Sequence, residues 1–398
     1  MSSQEVSINL EFPTAEFRAR DRQSIKFTLT NNSNETINVL KWNTPLEGVN
    51  NDIFKIEKDG KPAVYLGKMV KRGGPRPEDY ITIEPRGSVS VDVDLTEHYD
   101  ISEPGQYDVR YRLPILDVGR ESPQTLASRF VGERIFQMHR IQSNVARFEL
   151  LEPREPKQVN GISVERLAEF RDVNAKRPPN FTSCTMAEQT DLHNTLTEAE
   201  KIAIMSKLAL SNCPQGERPG ASRYKEWFGT HDNERYDQVT TNFSKILDAL
   251  ANKTITFNCS GTGCESNWFA YVNSGSPYEI HLCNAFWAAS LTGTDSRAGT
   301  IIHEMSHFNV VAGTDDNAYG QANCRQLAIN NPTDAIANAD SHEYFAENNP
   351  LLAMPYTLSL NDVFGRNNIT RPVNIRDLAQ SHELQPPISL FMLLDKLA

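Results

Sequence analysis

The segment His303-Glu304-Met305-Ser306-His307 constrains this chain more than any other stretch. Two histidines four positions apart share a face only on a helix, where they can bind one metal ion together. Glu304, beside the first of them, can then take a proton from water at that metal. Two imidazoles for Zn²⁺ and one carboxylate base are the minimum of a zinc hydrolase. Three fixed positions in five also arise by chance on ordinary helices with surface histidines, so the rest of the chain has to bear on the choice.

At 398 residues the chain has room for two or three domains. A net charge of −11 argues against a nucleic-acid or anionic-membrane surface. No run approaches the roughly 20 apolar residues that cross a membrane. The opening residues MSSQEVSINLEF have neither the basic nor the apolar region of a signal peptide. Against that stand the cysteines. Cys184, Cys213, Cys259, Cys264, Cys283 and Cys324 all lie in one segment, with no C-x-x-C pair among them. An even number so confined reads as disulfides, and therefore as an exported protein.

The chain changes character along its length. Val6, Ile8, Leu10 and Phe12 alternate with polar residues, as do Ile25, Phe27 and Leu29. Further strands are expected at 37–40, 52–57, 63–66, 80–83, 89–95, 105–113 and 145–150, with turns at Asn31–Asn34, Asp59-Gly60 and Pro104-Gly105. Many short strands and no convincing helix predict an antiparallel β-sandwich over 1–152. Residues 153–180 carry prolines and charges around one short amphipathic piece (164–170), and read as a linker open to proteolysis. Beyond it, helical spacing predicts one long helix or two over 186–210 and another over 236–250. Arg223–Gly229 reads as an aromatic-rich loop. Strands are expected at 254–258, 268–272 and 279–282. Thr294-Asp295-Ser296 is a cap for the histidine helix, and two helices follow, over about 319–330 and 332–348. Residues 351–398 carry no assignable role.

A catalytic zinc needs a third protein ligand and an open position. A third histidine six residues after His307 is absent, since Gly313 stands there. Glu343 and Glu347 could supply a ligand from a later helix, as in gluzincin-like peptidases. Nearer lies Gly313-Thr314-Asp315-Asp316-Asn317-Ala318-Tyr319-Gly320, where Gly313 lets the chain turn back and Asp316 can return to the metal, with Asp315 competing.

H-E-x-x-H followed by G-T-x-D-x-x-Y-G resembles the signature of the aspzincin metallopeptidases, the deuterolysin and peptidyl-Lys metalloendopeptidase family. The resemblance extends over about 181–350, through Cys283-Asn284-Ala285-Phe286-Trp287 and Asn338–Pro350, and is nearest to the peptidyl-Lys members. It implies a mainly α (α+β) zincin-like domain and one Zn²⁺ held by His303, His307 and Asp316. It implies Glu304 as general base and Tyr319 as donor to the oxyanion, a contact worth roughly 3 kcal/mol. It also implies that Asp340 and Glu343, three apart on a helix, line a pocket for lysine after the scissile bond. Cys184–Cys259 and Cys264–Cys283 disulfides come from the same resemblance, and pairing of Cys213 with Cys324 is a guess added to it.

The expectation is therefore a multidomain, secreted zinc endopeptidase acting on protein or peptide substrates. Its catalytic domain spans 181–350, with a C-terminal extension over 351–398. The cysteine-free N-terminal domain is either a permanent accessory or a propeptide that makes the protein a zymogen and contacts the active-site cleft. In the second case the loop Lys68-Met69-Val70-Lys71-Arg72-Gly73-Gly74 offers it a lysine. The remaining alternative is a non-catalytic binding protein with a structural metal, for which Glu304 would have no use.

Overall fold

The computed structural model describes residues 5–129, 136, 138–155, 158–159, 162–163 and 178–352. The protein is a mixed α+β molecule whose N-terminal region is rich in strands. Alternation works there as expected: in Val6–Glu11 the residues Val6, Ile8 and Leu10 are buried and those between them exposed. Three sheets result. Ser24–Asn31 lies between Val6–Glu11 and Ser88–Asp94. Gly105–Tyr111 lies between Ala146–Leu150 and Phe54–Lys58, with the short strands Glu16–Phe17 and Lys61–Pro62 at the edges. Ile37–Leu40 lies between Val118–Gly119 and Tyr80–Ile83. One short helix, Pro123–Ser128, is capped by Ser122.

The strand expected at 63–66 does not form. Tyr65 makes a single bridge to Tyr99, and its hydroxyl turns back to donate to the Lys68 carbonyl at 2.8 Å. The chain then leaves the N-terminal sheets. Lys68–Arg72 becomes the edge strand of another sheet, antiparallel to Trp268–Asn273, in the order Asn180–Thr182, Thr256–Asn258, Glu279–Leu282, Trp268–Asn273, Lys68–Arg72. The stretch anticipated as a loop is thus a strand, and it lies well outside the 181–350 segment whose sheet it completes.

Met186–Ser211 is one continuous helix, started by a capping box between Thr185 and Glu188. Inside it Thr197 bonds its own preceding turn, donating to the His193 carbonyl at 2.9 Å, so the polar cluster does not break the helix. Asn233–Asn252 buries the stripe Tyr236, Val239, Phe243, Ile246 and Leu250. Arg223–Gly229 is not a loop. Ser222–Phe228 is helical, with Tyr224, Trp227 and Phe228 in the core. Buried Arg223 satisfies a helix end by donating to the Phe345 carbonyl.

The helix expected over 332–348 is split into Pro332–Ala335 and Ala339–Glu347. Between them Asp315 N–H donates to Ala337 O at 2.8 Å, and Ala339 N–H donates to Asp315 O at 3.0 Å. Those two bonds use backbone groups that a continuous helix would have kept, and they tie the loop after the histidine helix to the start of the last helix. The 164–170 piece and the 388–397 stretch lie outside the described residues, and no helix among the described residues is long and apolar enough to cross a membrane.

Cys184–Cys259 and Cys264–Cys283 are disulfides. Cys213 and Cys324 are not paired, which corrects the guess above. Each is buried among its own partners: Cys213 follows the Met186–Ser211 helix, and Cys324 accepts from Asn338 Nδ2 at 3.4 Å. Replacing Cys184 and Cys259 together by serine removes a cross-link between residues 75 apart. It is expected to cost about 4 kcal/mol, read as a lower urea midpoint, whereas Cys213→Ala should cost at most about 2 kcal/mol.

Candidate active site

Ser296 starts the Arg297–His307 helix by accepting from Gly299 N–H at 3.0 Å. Glu347 holds the same corner, accepting from Ser296 N–H at 2.8 Å and Ser296 Oγ at 2.7 Å. From Ala298 to His307 every side chain of that helix is buried. The chain reverses through Gly313, whose φ of +58° suits a residue without Cβ. Thr314 then meets the helix it has just left. Its carbonyl lies 2.8 Å from His307 Nδ1 and accepts from it, which leaves Nε2 free to bind a metal.

His303 Nε2 and His307 Nε2 are 3.0 Å apart, and Asp316 Oδ1 is 3.2 Å from the first and 3.5 Å from the second. A tetrahedral Zn²⁺ with bonds of about 2.1 Å keeps its donors about 3.4 Å apart, so these three atoms fit one ion. Burial pushes the Asp316 carboxyl up, but the two imidazoles outweigh it and hold the group well below the usual range. Both oxygens of Glu304 are buried with no hydrogen-bond partner among the described residues. Burial raises that carboxyl to about 7, against the pull of His303 and His307. Desolvated and unpaired, it has capacity for a water molecule and its proton.

The opposite ring nitrogen of His303 faces other acids. His303 Nδ1 is 2.8 Å from Asp340 Oδ1 and 3.4 Å from Glu343 Oε2. Glu343 therefore lies behind the ring, on the side away from His307, and Glu347 is spent on the helix cap. Asp340 thus lies between the His303 ring and the backbone, its Oδ2 accepting from Gly320 N–H at 2.7 Å. Asp315 turns outward to an ion pair with Arg112.

The Lys68–Arg72 strand runs through this site. Lys71 Nζ is 2.6 Å from Glu343 Oε2, 3.2 Å from Asp295 Oδ1 and 3.8 Å from Asp340 Oδ1. Burial would lower the pKa of that ammonium, but the three carboxylates raise it well above its ordinary value. Tyr319, 1% exposed, donates from its hydroxyl to the Val70 carbonyl at 3.3 Å. Val70 N–H donates to Asp316 Oδ2, also at 3.3 Å. Of the seven anticipated site residues, Tyr319 and Asp316 thus meet Val70, Asp340 and Glu343 meet Lys71, His303 and His307 adjoin them through Asp316, and Glu304 is buried beside His303 on the same helix.

Three residues escaped the sequence reading. The sequence places Asp295 in a helix cap, but Ser296 does the capping and Asp295 meets Lys71, its Oδ1 also accepting from Tyr344 Oη at 2.7 Å. Asn43 and Asn51 both donate to the Asp316 backbone carbonyl, at 3.1 Å and 3.0 Å. Nothing in an Asn-rich N-terminal stretch marks them as partners of a loop more than two hundred residues away.

Residues 215–347 match the model of the family described as lysine-specific metallo-endopeptidases, the aspzincins. An extracellular protease of Aeromonas hydrophila is 40% identical over 337 residues, which cover 83% of this chain and 89% of that protein. A peptidyl-Lys metalloendopeptidase of Pleurotus ostreatus is 44% identical over 173 residues, 44% of this chain and 99% of its own length. Another of that name, from Grifola frondosa, is 30% identical over 344 residues and covers 81% and 87% of the two chains. The longer likenesses reach well into the strand-rich region.

Asp316→Ala should abolish stoichiometric zinc binding, measured by elemental analysis of dialysed protein, because two imidazoles remain. Glu343→Ala should keep its zinc. Zinc lost from Glu343→Ala and kept in Asp316→Ala would reverse the ligand assignment.

Proposed function

The chain belongs to the aspzincin family of zinc metalloendopeptidases, and from that premise we propose that it cleaves on the amino side of lysine and is blocked by its own Lys71 until the N-terminal region is displaced. The observation carrying the reading is the Val70–Lys71 bond: the Tyr319 hydroxyl on its carbonyl and three carboxylates around the ammonium that follows. The names of the Pleurotus and Grifola relatives support a lysine preference.

In this reading His303, His307 and Asp316 hold the zinc, which when bound polarises the scissile carbonyl and acidifies water. Glu304 takes the proton of the attacking water and passes it to the departing amine. Tyr319 Oη hydrogen-bonds the carbonyl oxygen as negative charge builds there. Asp340 keeps the His303 ring in place, and Glu343 with Asp340 selects an ammonium over an apolar side chain. Glu343 as third ligand is the weaker reading, since it meets His303 through Nδ1 whereas His307 meets it through Nε2. A merely structural metal would leave the two unpaired oxygens of Glu304 without a purpose.

Residues 1–152 are read as a β-sandwich domain that is antiparallel but for the parallel edge strand Glu16–Phe17 and that lends Lys68–Arg72 to the neighbouring sheet, with 153–180 as a linker, 181–350 as the catalytic domain and 351–398 as an extension. Two disulfides and an extracellular Aeromonas relative support secretion.

Glu304→Ala should retain zinc and lose casein hydrolysis by roughly 10²–10⁴-fold. Full activity in that variant would remove the mechanism. Lys71→Met should raise the initial activity of the intact chain on a lysine peptide at least about tenfold, since losing one partner of a buried ion pair costs about 3–5 kcal/mol of docking. N-terminal sequencing during incubation should find activity rising with release of a fragment that starts near 150–185. A wild-type chain that stays intact and is fully active from the start would exclude the zymogen.

A further inference from the structure

We propose that Trp268, Tyr271 and the Gly263 carbonyl form a second cation subsite, which takes a lysine or arginine side chain three residues before the lysine that follows the scissile bond. The proposal rests on the reading that the Lys68–Arg72 strand lies as a substrate lies. Side chains of a strand alternate between its faces. Lys71 and Met69 point to one side, the first into the acid pocket and the second into the core. Lys68, Val70 and Arg72 share the other.

On that other side Lys68 Nζ lies 4.4 Å from the ring centroid of Tyr271 and 5.2 Å from that of Trp268, and donates to the Gly263 carbonyl at 3.3 Å. Two ring faces and one carbonyl oxygen are a cradle for a positive charge. The cradle is held rigid from behind. Tyr271 stacks on His281, with centroids 4.4 Å apart and planes at 3°, and its hydroxyl donates to Thr262 O at 2.8 Å. The Cys264–Cys283 disulfide fastens the adjoining turn to the sheet. Gly263 takes a φ of +75°, and a Cβ there would come within 3.2 Å of the Tyr271 hydroxyl.

Ownership separates this site from the neighbouring arginine. Arg72 lies 5.6 Å from the Trp268 ring and 5.5 Å from that of Tyr319, but its ion-pair partner, Glu47 at 2.6 Å, and the covering Trp42 come from the N-terminal region and leave with it. Trp268, Tyr271 and Gly263 all belong to the catalytic segment and stay. Glu265 adds to them, because its carboxylate holds Arg76 at 2.6 Å and is freed when that residue departs. A carboxylate beside an aromatic cradle favours a cation over a neutral chain of the same length.

The competing account is that Lys68 only lays its methylenes across two rings, in which case norleucine would serve as well. The test uses the full-length protein with zinc, incubated until its activity is constant. Quenched fluorescent peptides carry Xaa-Met-Val-Lys-Arg, with Xaa as lysine, arginine, norleucine or glutamate, and a parallel set replaces the second lysine by norleucine. We expect kcat/KM for lysine and arginine at Xaa to exceed norleucine by about threefold to tenfold, and glutamate to be lower still. Tyr271→Leu should flatten the lysine-to-norleucine ratio, and Tyr271→Phe, which keeps the ring, should retain it. Equal rates for lysine and norleucine at Xaa, with lysine still required after the scissile bond, would overturn the subsite alone. So would a ratio unchanged in Tyr271→Leu. Cleavage of the arginine, norleucine or glutamate peptides that does not need the second lysine would overturn the lysine-directed reading and this subsite together.

Discussion

The ammonium of Lys71 is what allows so many acids to be buried in one place. Asp340 and Glu343 are essentially inaccessible to solvent, and Glu347 and Asp295 adjoin them. Carboxylates at such spacing repel one another and lose hydration, and each buried charge left without a partner costs several kcal/mol. One cation 2.6 Å from Glu343 answers both problems, and the strand that carries it is held along its whole length by the edge of the Trp268–Asn273 strand. The pocket and its occupant are complementary in charge and in backbone direction. That complementarity is what a lysine-bearing substrate would have to reproduce.

The N-terminal region also grips the metal loop itself. Asn43 and Asn51 hold the Asp316 carbonyl, Arg112 pairs with Asp315, and the ring of Trp42 meets that of Tyr319 edge-on at 5.5 Å. These contacts hold the loop around Asp316, the proposed metal ligand, without touching its Oδ1. The catalytic segment holds the same loop through the Asp315–Asn338 bridge and the bond from Ala318 N–H to Asn338 Oδ1 at 2.9 Å. Only the second set would remain if the N-terminal region departed. On the proposed reading, the loop of the released enzyme is thus positioned from one side and that of the intact chain from two.

Much of this was legible in the sequence because the signals were local. H-E-x-x-H requires a helix, Gly313 marks a reversal, and Asp316 and Tyr319 follow within one short loop. Strands at 37–40, 80–83 and 279–282 were readable from alternation and flanking turns. What failed was non-local. The break at 336–338 is imposed by Asp315 from a loop twenty residues earlier in the chain, and nothing within 332–348 announces it. The 63–66 segment has a strand's composition, yet Tyr65 spends its hydroxyl on Val49 and Lys68 carbonyls while its chain turns toward another sheet. Arg223–Gly229 reads as an aromatic-rich loop or as plain core packing, and it is the second, on a short helix whose arginine is buried on Phe345 and whose glycine ends it. The stretch Lys68–Gly74 was recognisable by its lysines, and which of the two enters the pocket depends on strand register, which a single sequence leaves open.

On the proposed reading, a strand that lies as a substrate would lie in a protease raises the question of why it should block rather than be consumed. The anchoring of its two ends supplies an answer. On the amino side Lys68 is fixed by two rings and a carbonyl, and on the carboxyl side Arg72 is fixed by Glu47, and Arg76 by Asp79 and Glu265. Scission between Val70 and Lys71 would leave both new ends attached to their own grips, at the high effective concentration that tethering provides. The lysine would stay among its carboxylates, and the cleft would stay filled. Inhibition of this kind depends on retention of the pieces and not on resistance of the bond, so on the proposed reading release has to come from loss of the grips as a set. The two rings, the Gly263 carbonyl and Glu265 stay with the catalytic segment, but Lys68, Arg72 and Arg76 all belong to the strand-rich region, whose detachment would withdraw them together with Glu47 and Asp79 in one step.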